Sequence, residues 1–381
     1  MPHFDIIRES NPERTFRVES VMGTFDLQTD HVKEHFVGDI DLPNDWHIGL
    51  IVGRSGIGKT TIARELFGDN IIGQYEYTHD SILDDMPKDA TVREISMALN
   101  SVGFSSPPSW LKPYAVLSNG EKMRCDIARA MLENKEFFVF DEFTSVVDRN
   151  VAQISSFAIQ KAIRRNGKRF IAVTCHYDVQ DWLMPDWVFN TDTMTFQTID
   201  AETQKKNRPA INLEIREIRH DKQKIWGMFA KYHYLNHSFN AAARTFVCYA
   251  NGHLAAFTSA LHFMHPKKKN TVREHRSVVF PDYQGVGIGV ALTNAVADYF
   301  QHIGKTYITT TSNPAMIVAR GKDPRWAMTR RCRASNGSDT GIVQNKFKRG
   351  STSCARITCA FEYIGEKRNS VASVASKSAR R

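Results

Sequence analysis

The sequence predicts two mixed α/β domains in series, and three observations support this fold class. In residues 1–200, short apolar runs alternate with helical patterns, which indicates a mainly parallel sheet flanked by helices. A polar stretch at 201–210 breaks the alternation and is predicted to be a linker. Strand and helix patterns mix again over 211–365. The remaining residues, 366–381, are small, polar and basic, and we expect a disordered tail.

The first domain begins with a phosphate-binding pattern between a strand and a helix. The apolar run at 48–52 predicts a buried strand, and 61–67 predicts a helix. The residues between them fit G-x-x-x-x-G-K-[ST], in which glycines let backbone amides approach phosphate oxygens. Lys59 would reach the β and γ phosphates, and the Thr60 hydroxyl would ligate Mg²⁺. We therefore predict an ATP site made of Gly53, Arg54, Ser55, Gly56, Ile57, Gly58, Lys59, Thr60 and Thr61.

Two carboxylates follow the next predicted strand, the apolar run at 137–140. Asp141 could hold the Mg²⁺ shell, and Glu142 could polarise the attacking water. Between the ATP pattern and these carboxylates, a helix is predicted at 122–132. Ser118, with Glu121 three residues later, predicts a capping box at its start, which leaves the helix amides and a partial positive charge facing outward.

The segment Leu117-Ser-Asn-Gly-Glu121, in this place in the chain, resembles the signature of the ABC ATPase family. Ser145-Val-Val-Asp148 resembles the D-loop of that family, and His176, after a strand at 170–174, resembles its switch histidine. The resemblance implies a homodimer that sandwiches ATP, with His176 at the γ-phosphate. The residues expected to reach the nucleotide of the opposite subunit are Ser118, Asn119, Gly120, Glu121 and Asp148.

The first domain also departs from the transporter pattern of the family. The signature reads LSNGE instead of LSGGQ, and Asp84 or Asp85 stands where a glutamine is usual. The segment from 59 to 118 is short for a subunit that docks on a membrane partner. An aromatic ring for adenine should come from the first 40 residues, with Phe25 and Phe36 as candidates.

The second domain is predicted from a regular series of elements. The patterns indicate a strand at 211–218, a helix near 221–231 and a hairpin that turns at Asn251-Gly252. They continue with a strand ending at 278–280, a glycine-rich turn, a helix over 287–302 and a strand at 307–311.

The glycine-rich turn resembles motif A of the GNAT acyltransferases, Q/R-x-x-G-x-G/A. Bare amides at such a turn can bind the diphosphate of CoA. A dinucleotide fingerprint is excluded, because it would need glycine at Val290. The resemblance implies acetyl-CoA or another acyl-CoA as cosubstrate, bound by Phe280, Gln284, Gly285, Val286, Gly287, Gly289 and Asn313.

The catalytic residues of the second domain are less defined. The family often places a base on the strand before the turn, which makes Glu274 and His275 candidates. Arg320 stands where the family often has a catalytic tyrosine, so assistance to the departing thiolate is in doubt. The acceptor pocket is expected at Tyr232, His233 and Tyr234, which could equally be a packing cluster.

Composition limits the compartment and the partners. The chain has 381 residues, no apolar run of the roughly 18 to 20 residues that span a bilayer, and six cysteines without a CxxC pair. We expect a cytoplasmic protein without disulfides, zinc or membrane contact. Residues 1–200 hold 20 Lys and Arg against 30 Asp and Glu, a net of −10, and residues 201–381 hold 30 against 11, a net of +19. This asymmetry favours an anionic partner for the second half.

Together these features resemble the small family of ABC-type ATPases fused to a predicted acetyltransferase domain, with a looser analogy to Mom-like GNAT proteins that modify DNA. The leading hypothesis is ATP-gated acyl transfer to DNA or RNA. The alternatives are an acceptor that is a protein or small amine, and an ATP-dependent nucleic-acid-binding switch whose GNAT fold is inactive. The basic stretches that could touch phosphates are 267–269, 330–333 and 346–349.

Overall fold

The computed structural model describes residues 3–10, 12–27, 32–73, 75–200, 202–203, 210–233, 237–266, 268–333 and 357–365. The chain divides into two compact units, Met1–Ala210 and Ile211–Arg381. Most of the predicted linker and the whole predicted tail lie outside the described residues. Among the described helices, none is long and apolar enough to cross a membrane.

An antiparallel ribbon opens the first unit. β1 (His3–Ser10) pairs along its length with β2 (Val32–Asp39), and α1 (Phe16–Phe25) lies between them in sequence. Phe36 is buried, whereas Phe25 is 70% exposed. This ribbon was not predicted from the sequence.

A six-stranded sheet forms the centre of the first unit. Its strands are β3 (Ile48–Val52), β4 (Ile71–Ile72), β5 (Phe137–Phe140), β6 (Arg169–Thr174), β7 (Trp187–Asn190) and β8 (Thr195–Thr198). Their order is β4-β5-β6-β3-β7-β8, and only β8 runs antiparallel to its neighbour. Every residue of β3 is buried, which explains its continuous apolar run. The mainly parallel sheet predicted from the sequence is confirmed.

Helices cover both faces of this sheet. They are α2 (Lys59–Phe67), α3 (Val92–Ser101), α4 (Pro107–Trp110), α5 (Asn119–Leu132), α6 (Arg149–Asn166) and α7 (Val179–Leu183). One apolar core joins Leu50 of β3 to α3, α5 and α6, and a second joins Ile51 to α2 and the ribbon. Packing on both faces fixes the carboxyl end of β3, where the phosphate-binding pattern begins.

A seven-stranded sheet forms the second unit. Its strands are β9 (Leu213–Ile218), β10 (Arg244–Ala250), β11 (His253–His262), β12 (Thr271–Val279), β13 (Thr306–Thr311), β14 (Trp326–Arg333) and β15 (Ile357–Tyr363). Their order is β14-β15-β13-β12-β11-β10-β9. Only β12 and β13 pair in parallel. The hairpin turn is confirmed, since Asn251 and Gly252 both have positive φ, 49° and 83°.

Three helices pack on this sheet: α8 (Lys222–Ala230), α9 (Ile288–His302) and α10 (Pro314–Lys322). An aromatic core joins Trp226 and Phe229 of α8 to Phe257 of β11. The predicted helices near 221–231 and over 287–302 are confirmed. β14 and β15 were not predicted.

A wedge opens in the second sheet between its two parallel strands. β12 and β13 pair at only three positions, the last of which is Arg273 with Ile308. Beyond them, β13 continues its pairing with β15 instead. The wedge therefore lies between residues 274–279 of β12 and residues 309–311 of β13, and it widens toward the carboxyl ends of both strands.

Candidate functional sites

Three loops leave the first sheet at one edge, because parallel strands end on the same side. They follow β3, β5 and β6, and they carry the phosphate-binding loop (53–60), the carboxylates Asp141 and Glu142, and His176. The sheet thus brings together three elements that the sequence predicted separately.

The phosphate-binding loop is shaped by its glycines. Gly56 and Gly58 have φ of 82° and 85°, a left-handed conformation that costs glycine little. A Cβ on Gly58 would lie 2.5 Å from Cζ of Phe36, so the ring supports the loop from the ribbon. Phe36 is only 6% exposed and therefore offers no face to adenine, contrary to the sequence hypothesis.

The loop presents free donors to an anion. Hydrogen bonds to other described residues are absent from the amides of Ser55, Gly56, Gly58, Lys59, Thr60 and Thr61. The buried Lys59 ammonium curls back over the loop and donates to the Arg54 carbonyl at 2.7 Å. A ring of amides with one ammonium beside a helix N-terminus fits the phosphates of ATP.

Arg54 ties this loop to two neighbouring loops. Its backbone amide and Nε both donate to Oδ1 of Asp192, at 3.2 and 2.9 Å, after the end of β7. Tyr177, next to His176, donates its hydroxyl to the other oxygen of the same carboxylate. A shift of His176 would therefore reach the phosphate-binding loop through Asp192.

The carboxylates after β5 are held by local bonds. Oε2 of Glu142 accepts from the Ser145 hydroxyl at 2.6 Å, and Asp141 accepts from the Glu142 amide at 2.9 Å. Glu142 has a φ of 55°, an uncommon conformation for this residue. Within the described residues no group of three or more His, Cys, Asp or Glu could hold a metal. A Mg²⁺ ion held as the sequence predicts would take its ligands from Thr60, Asp141, phosphate and water, a set of oxygen donors that suits it.

His176 belongs to the same electrostatic neighbourhood. Burial lowers its pKa, and the positive charge of Arg149 lowers it further. The Glu142 carboxylate opposes this shift, and the Lys59 ammonium adds to it slightly. His176 is therefore neutral at pH 7 and can exchange one hydrogen bond with a phosphate or water.

The segment after Ser145 is connected to the loop of His176. The Asp148 side chain caps α6 by accepting from the Asn150 amide at 2.8 Å. Arg149 pairs with Asp178 through both Nε and Nη2. The Arg149–Asp178 pair thus connects the segment after Ser145 to the loop of His176 within one chain.

The predicted capping box is confirmed at the start of α5. The Ser118 side chain accepts from the Glu121 amide at 3.3 Å, and the Glu121 carboxylate accepts from the Ser118 amide at 3.1 Å. The Asn119 side chain donates to the Val146 carbonyl of the D-loop at 3.4 Å. The amides of Asn119 and Gly120 have no acceptor among the described residues, so they remain available for an anion.

The glycine-rich turn in the second unit repeats this design. Gly285 and Gly287 have φ of 86° and 93°, and Gly287 stands directly before α9. The Gln284 side chain closes the turn by donating to the Val279 carbonyl at 2.9 Å. The amides of residues 285–290 donate to no other described residue, so the turn fits a diphosphate. Of the other predicted contacts, Phe280 stacks on Phe229 and Asn313 caps α10.

Glu274 is engaged in an ion pair instead of being free. Its Oε2 accepts from Nη2 of Arg320 at 2.6 Å, and its side chain is 10% exposed. A carboxylate bound to a buried guanidinium is a poor proton acceptor, which argues against Glu274 as the catalytic base.

His275 is engaged as well. It is the extra residue of a β-bulge, because Glu274 and Arg276 face consecutive residues of β11. Its Nε2 accepts from the Asn240 amide at 3.3 Å. Burial, with the charges of Arg276 and Arg273, lowers its pKa to about 4. This geometry does not favour His275 as a base.

The expected acceptor pocket is mostly core. His233 is 8% exposed and packs edge-on against Trp226, while Tyr232 packs edge-on against Phe280. Tyr234 lies outside the described residues. His233 is therefore part of a packing cluster, and Tyr232 is half-buried.

Comparisons with known proteins assign both units. Residues 212–318 match the model of the Acetyltransferase (GNAT) family. The sn-glycerol-3-phosphate import ATP-binding protein UgpC of Ruegeria pomeroyi is 28% identical over 213 residues, which are 47% of this chain and 60% of that protein. An ABC transporter ATP-binding protein of Haemophilus influenzae is 29% identical over 136 residues, 28% of this chain and 55% of that protein.

The chain joins a region similar to ABC ATP-binding proteins to a domain that matches the GNAT family model. The resemblance and the fold class inferred from the sequence are confirmed. The chain spans only about 55 to 60% of these two ABC relatives. A GNAT acetyltransferase structure from Streptococcus pneumoniae is 14% identical, covers 40% of this chain and 98% of its own, and has a TM-score of 0.29.

Several contacts of this ABC–GNAT protein were beyond sequence reasoning. Asp192 and Asp178 are ordinary loop carboxylates in the sequence, with no motif around them. In the sequence, Arg320 is only a departure from the GNAT pattern, because its pairing with Glu274 depends on the packing of α10. Ser145 carried a signal, since it opens the D-loop pattern directly after Glu142.

Proposed function

We propose that this protein hydrolyses ATP between two copies of its ABC domain and uses its GNAT domain to transfer an acyl group from acyl-CoA to a nucleic acid. The observation that carries the proposal is the pair of anion sites built from free amides: the phosphate-binding loop before α2 and the glycine turn before α9. One suits nucleotide phosphates and the other suits the diphosphate of CoA.

The ABC domain needs a second copy to complete its site. Lys59 and the free amides of Asn119 and Gly120 would bind the same γ-phosphate, yet the described residues contain no hydrogen bond between these segments. A head-to-tail dimer solves this geometry, because each α5 would then face the loop of its partner. In that site Asp141 and Thr60 would hold Mg²⁺, and Glu142 and His176 would position the water.

The proposal that the acceptor is a nucleic acid rests on the positive charge of the second half of the chain. Residues 201–381 carry a net +19, more than one CoA would balance. Lys269, Arg330 and Arg331 are exposed, whereas Lys268 also lies 3.8 Å from Glu362. Lys267 and residues 346–349 lie outside the described residues.

A second candidate is favoured by the state of Glu274 and His275. Because Glu274 is paired with Arg320 and Nε2 of His275 accepts from the Asn240 amide, neither side chain is set to take the proton of an ammonium group, and the GNAT domain could serve as an inactive acyl-CoA or nucleic-acid sensor controlled by ATP. Acyl transfer from labelled acetyl-CoA separates the two candidates.

Two variants test the separate sites. Lys59→Ala should lose ATP binding and keep CoA binding. Gly287→Glu should lose CoA binding and keep ATP hydrolysis, because its side chain strains a φ of 93° and fills the approach to the turn.

Gly304→Ala is the matched control. Gly304 also has a positive φ, 77°, and open space around it, but it lies at the other end of α9. Calorimetric titration of the full chain with CoA should show tight binding to Gly304→Ala and none to Gly287→Glu. Equal CoA affinity in the two folded variants would remove the acyl-CoA assignment.

A further inference from the structure

A buried guanidinium lies at the narrow end of the wedge. Arg320 of α10 is 1% exposed. Its Nη2 donates to Glu274 of β12 at 2.6 Å, and its Nη1 donates to Thr309 of β13 at 2.9 Å. One side chain therefore contacts both walls of the wedge, and its Cζ also lies 4.8 Å from the centroid of the Trp326 ring.

Arg320 has more N–H donors than there are acceptor partners for them among the described residues. A guanidinium carries five N–H groups, and two of them bond here. Its Nε is buried and has no acceptor among the described residues. Leaving a buried donor unsatisfied costs about 1–3 kcal/mol, and native structures rarely do so without a reason. An acceptor atom on a bound ligand would satisfy this donor.

The position of the wedge identifies the class of ligand. The glycine turn follows β12 after one short 3-10 helix (Pro281–Tyr283), and Glu274 lies five residues before the strand ends at Val279. This separation is about 17 Å of extended chain, a length that a pantetheine arm can cover. A CoA with its diphosphate on the turn and its arm along β12 would bring its sulfur to Arg320.

We propose that Arg320 is a catalytic residue that stabilises the negative charge on the sulfur of CoA as the acyl group leaves. The inference rests on the proposed acyltransferase function and deepens it. In the transfer, the amine nitrogen bonds to the acyl carbon and the carbon–sulfur bond breaks. The electron pair of that bond stays on sulfur, and the ammonium proton passes to water.

Arg320 supplies charge and hydrogen bonds in this step and donates no proton, because guanidinium stays protonated in proteins. Glu274 then has a positioning role, since it fixes the guanidinium across the wedge. The competing explanation is a purely structural tie between β12 and α10, in which the guanidinium never meets the sulfur.

Ionisation of the bound thiol distinguishes these explanations without any acceptor. The full chain is saturated with CoA, and thiolate absorbance is followed against pH. A nearby cation favours the thiolate, so the bound thiol should titrate about one pH unit below that of free CoA. Arg320→Lys should retain part of this shift, and Glu274→Gln should enlarge it by removing the opposing charge.

A variant that removes the Arg320 cation must also replace Glu274. Arg320→Met alone leaves a buried, unpaired carboxylate and could unfold, whereas Arg320→Met with Glu274→Leu removes both charges and keeps the volume. The shift should vanish in this double variant. Arg325→Met is the matched control, since Arg325 forms a half-buried pair with Asp323 at the end of α10, away from Glu274 in sequence, and should keep the shift.

Two results would overturn the proposal. If wild-type protein binds CoA with an ordinary thiol pKa, or if the double variant keeps the full shift, Arg320 is only a structural tie. If wild-type protein binds no CoA at all, the proposed acyltransferase function fails with it. Desulfo-CoA should bind wild type and double variant equally.

Discussion

At the level of single residues, the ATPase site depends on Glu142 and on the hydrogen bond that Ser145 donates to it. The Ser145 hydroxyl holds one oxygen of Glu142 and leaves the other for water. Glu142→Gln keeps the size of the side chain but removes the negative charge that polarises water. Hydrolysis should fall by about 10² to 10⁴, with ATP affinity unchanged, as measured by phosphate release and nucleotide titration.

Glu136→Gln is the matched control for this change. Glu136 precedes β5 at its opposite end and pairs with Arg169 on the surface. Hydrolysis should stay at the wild-type rate in this variant. Equal losses in the two variants would mean that Glu142 contributes no specific catalysis.

The sequence predicted those site residues that act within a short stretch of chain. The phosphate-binding loop, the capping box of Ser118 and the turn at Gly287 are local patterns, and the structure places each at a helix N-terminus as expected. The Arg320–Glu274 pair joins residues 46 positions apart, so no local pattern reveals it. The structure does not favour Glu274 or His275 as the catalytic base. Whether a side chain can accept a proton depends on its tertiary partners, and these cannot be predicted from a local pattern.

At the scale of elements, the sequence predicted strands that are continuous and apolar and missed those that are mixed. β14 reads Trp326-Ala-Met-Thr-Arg-Arg-Cys-Arg333, and its run of polar and charged residues hides its pairing with β15. β1 and β2 also mix charged and apolar residues, since the ribbon they form is largely exposed. These strands show neither a continuous apolar run nor a clear alternation of apolar and polar residues, so their sequences do not distinguish them from loops.

A buried carboxylate of α5 accepts hydrogen bonds from two tyrosines. Asp126 accepts from the hydroxyls of Tyr77 and Tyr114, each at 2.7 Å, and the two rings stack at 3.8 Å. Burial raises the pKa of Asp126, and the two hydroxyls partly oppose that rise. The ionised carboxylate therefore relies on both donors to remain in the fold.

Tyr114→Phe keeps the stack and removes one donor. We expect it to destabilise the protein by about 1–3 kcal/mol at neutral pH. Because the folded pKa of Asp126 is raised, its ionisation costs stability as pH rises from the unfolded value through the folded one. The cost is larger with one donor missing, so the deficit should widen with rising pH and narrow in acid.

Chemical denaturation of both proteins across a pH series measures this deficit. In an Asp126→Asn background nothing titrates at this position, so the deficit caused by Tyr114→Phe should no longer vary with pH. A deficit independent of pH in the presence of Asp126 would show that the Tyr114 hydroxyl does not support the charge.

At the scale of the whole molecule, the proposed head-to-tail dimer predicts complementation. Lys59→Ala removes the ammonium of the phosphate-binding loop, and Ser118→Arg blocks the start of α5, so each variant alone should be inactive. In a mixed dimer, both defects fall in one site and the other site is intact. Mixing should therefore restore ATP hydrolysis, to at most half the wild-type rate per heterodimer.

The double variant Lys59→Ala with Ser118→Arg is the control, since mixing it with either single variant leaves no intact site. Phosphate release by each mixture provides the measurement. Persistent inactivity of the two single variants together, with both folded, would mean that each chain builds its own ATP site.

A labelling experiment tests ATP-gated acyl transfer to nucleic acid. The full chain is incubated with labelled acetyl-CoA, ATP and a nucleic-acid-containing cell extract, and the label is then sought in nuclease-sensitive and protease-sensitive fractions. We predict label in DNA or RNA that depends on ATP and is absent with Gly287→Glu. Label confined to protein or small amines, or none from a protein that binds CoA, would contradict the account.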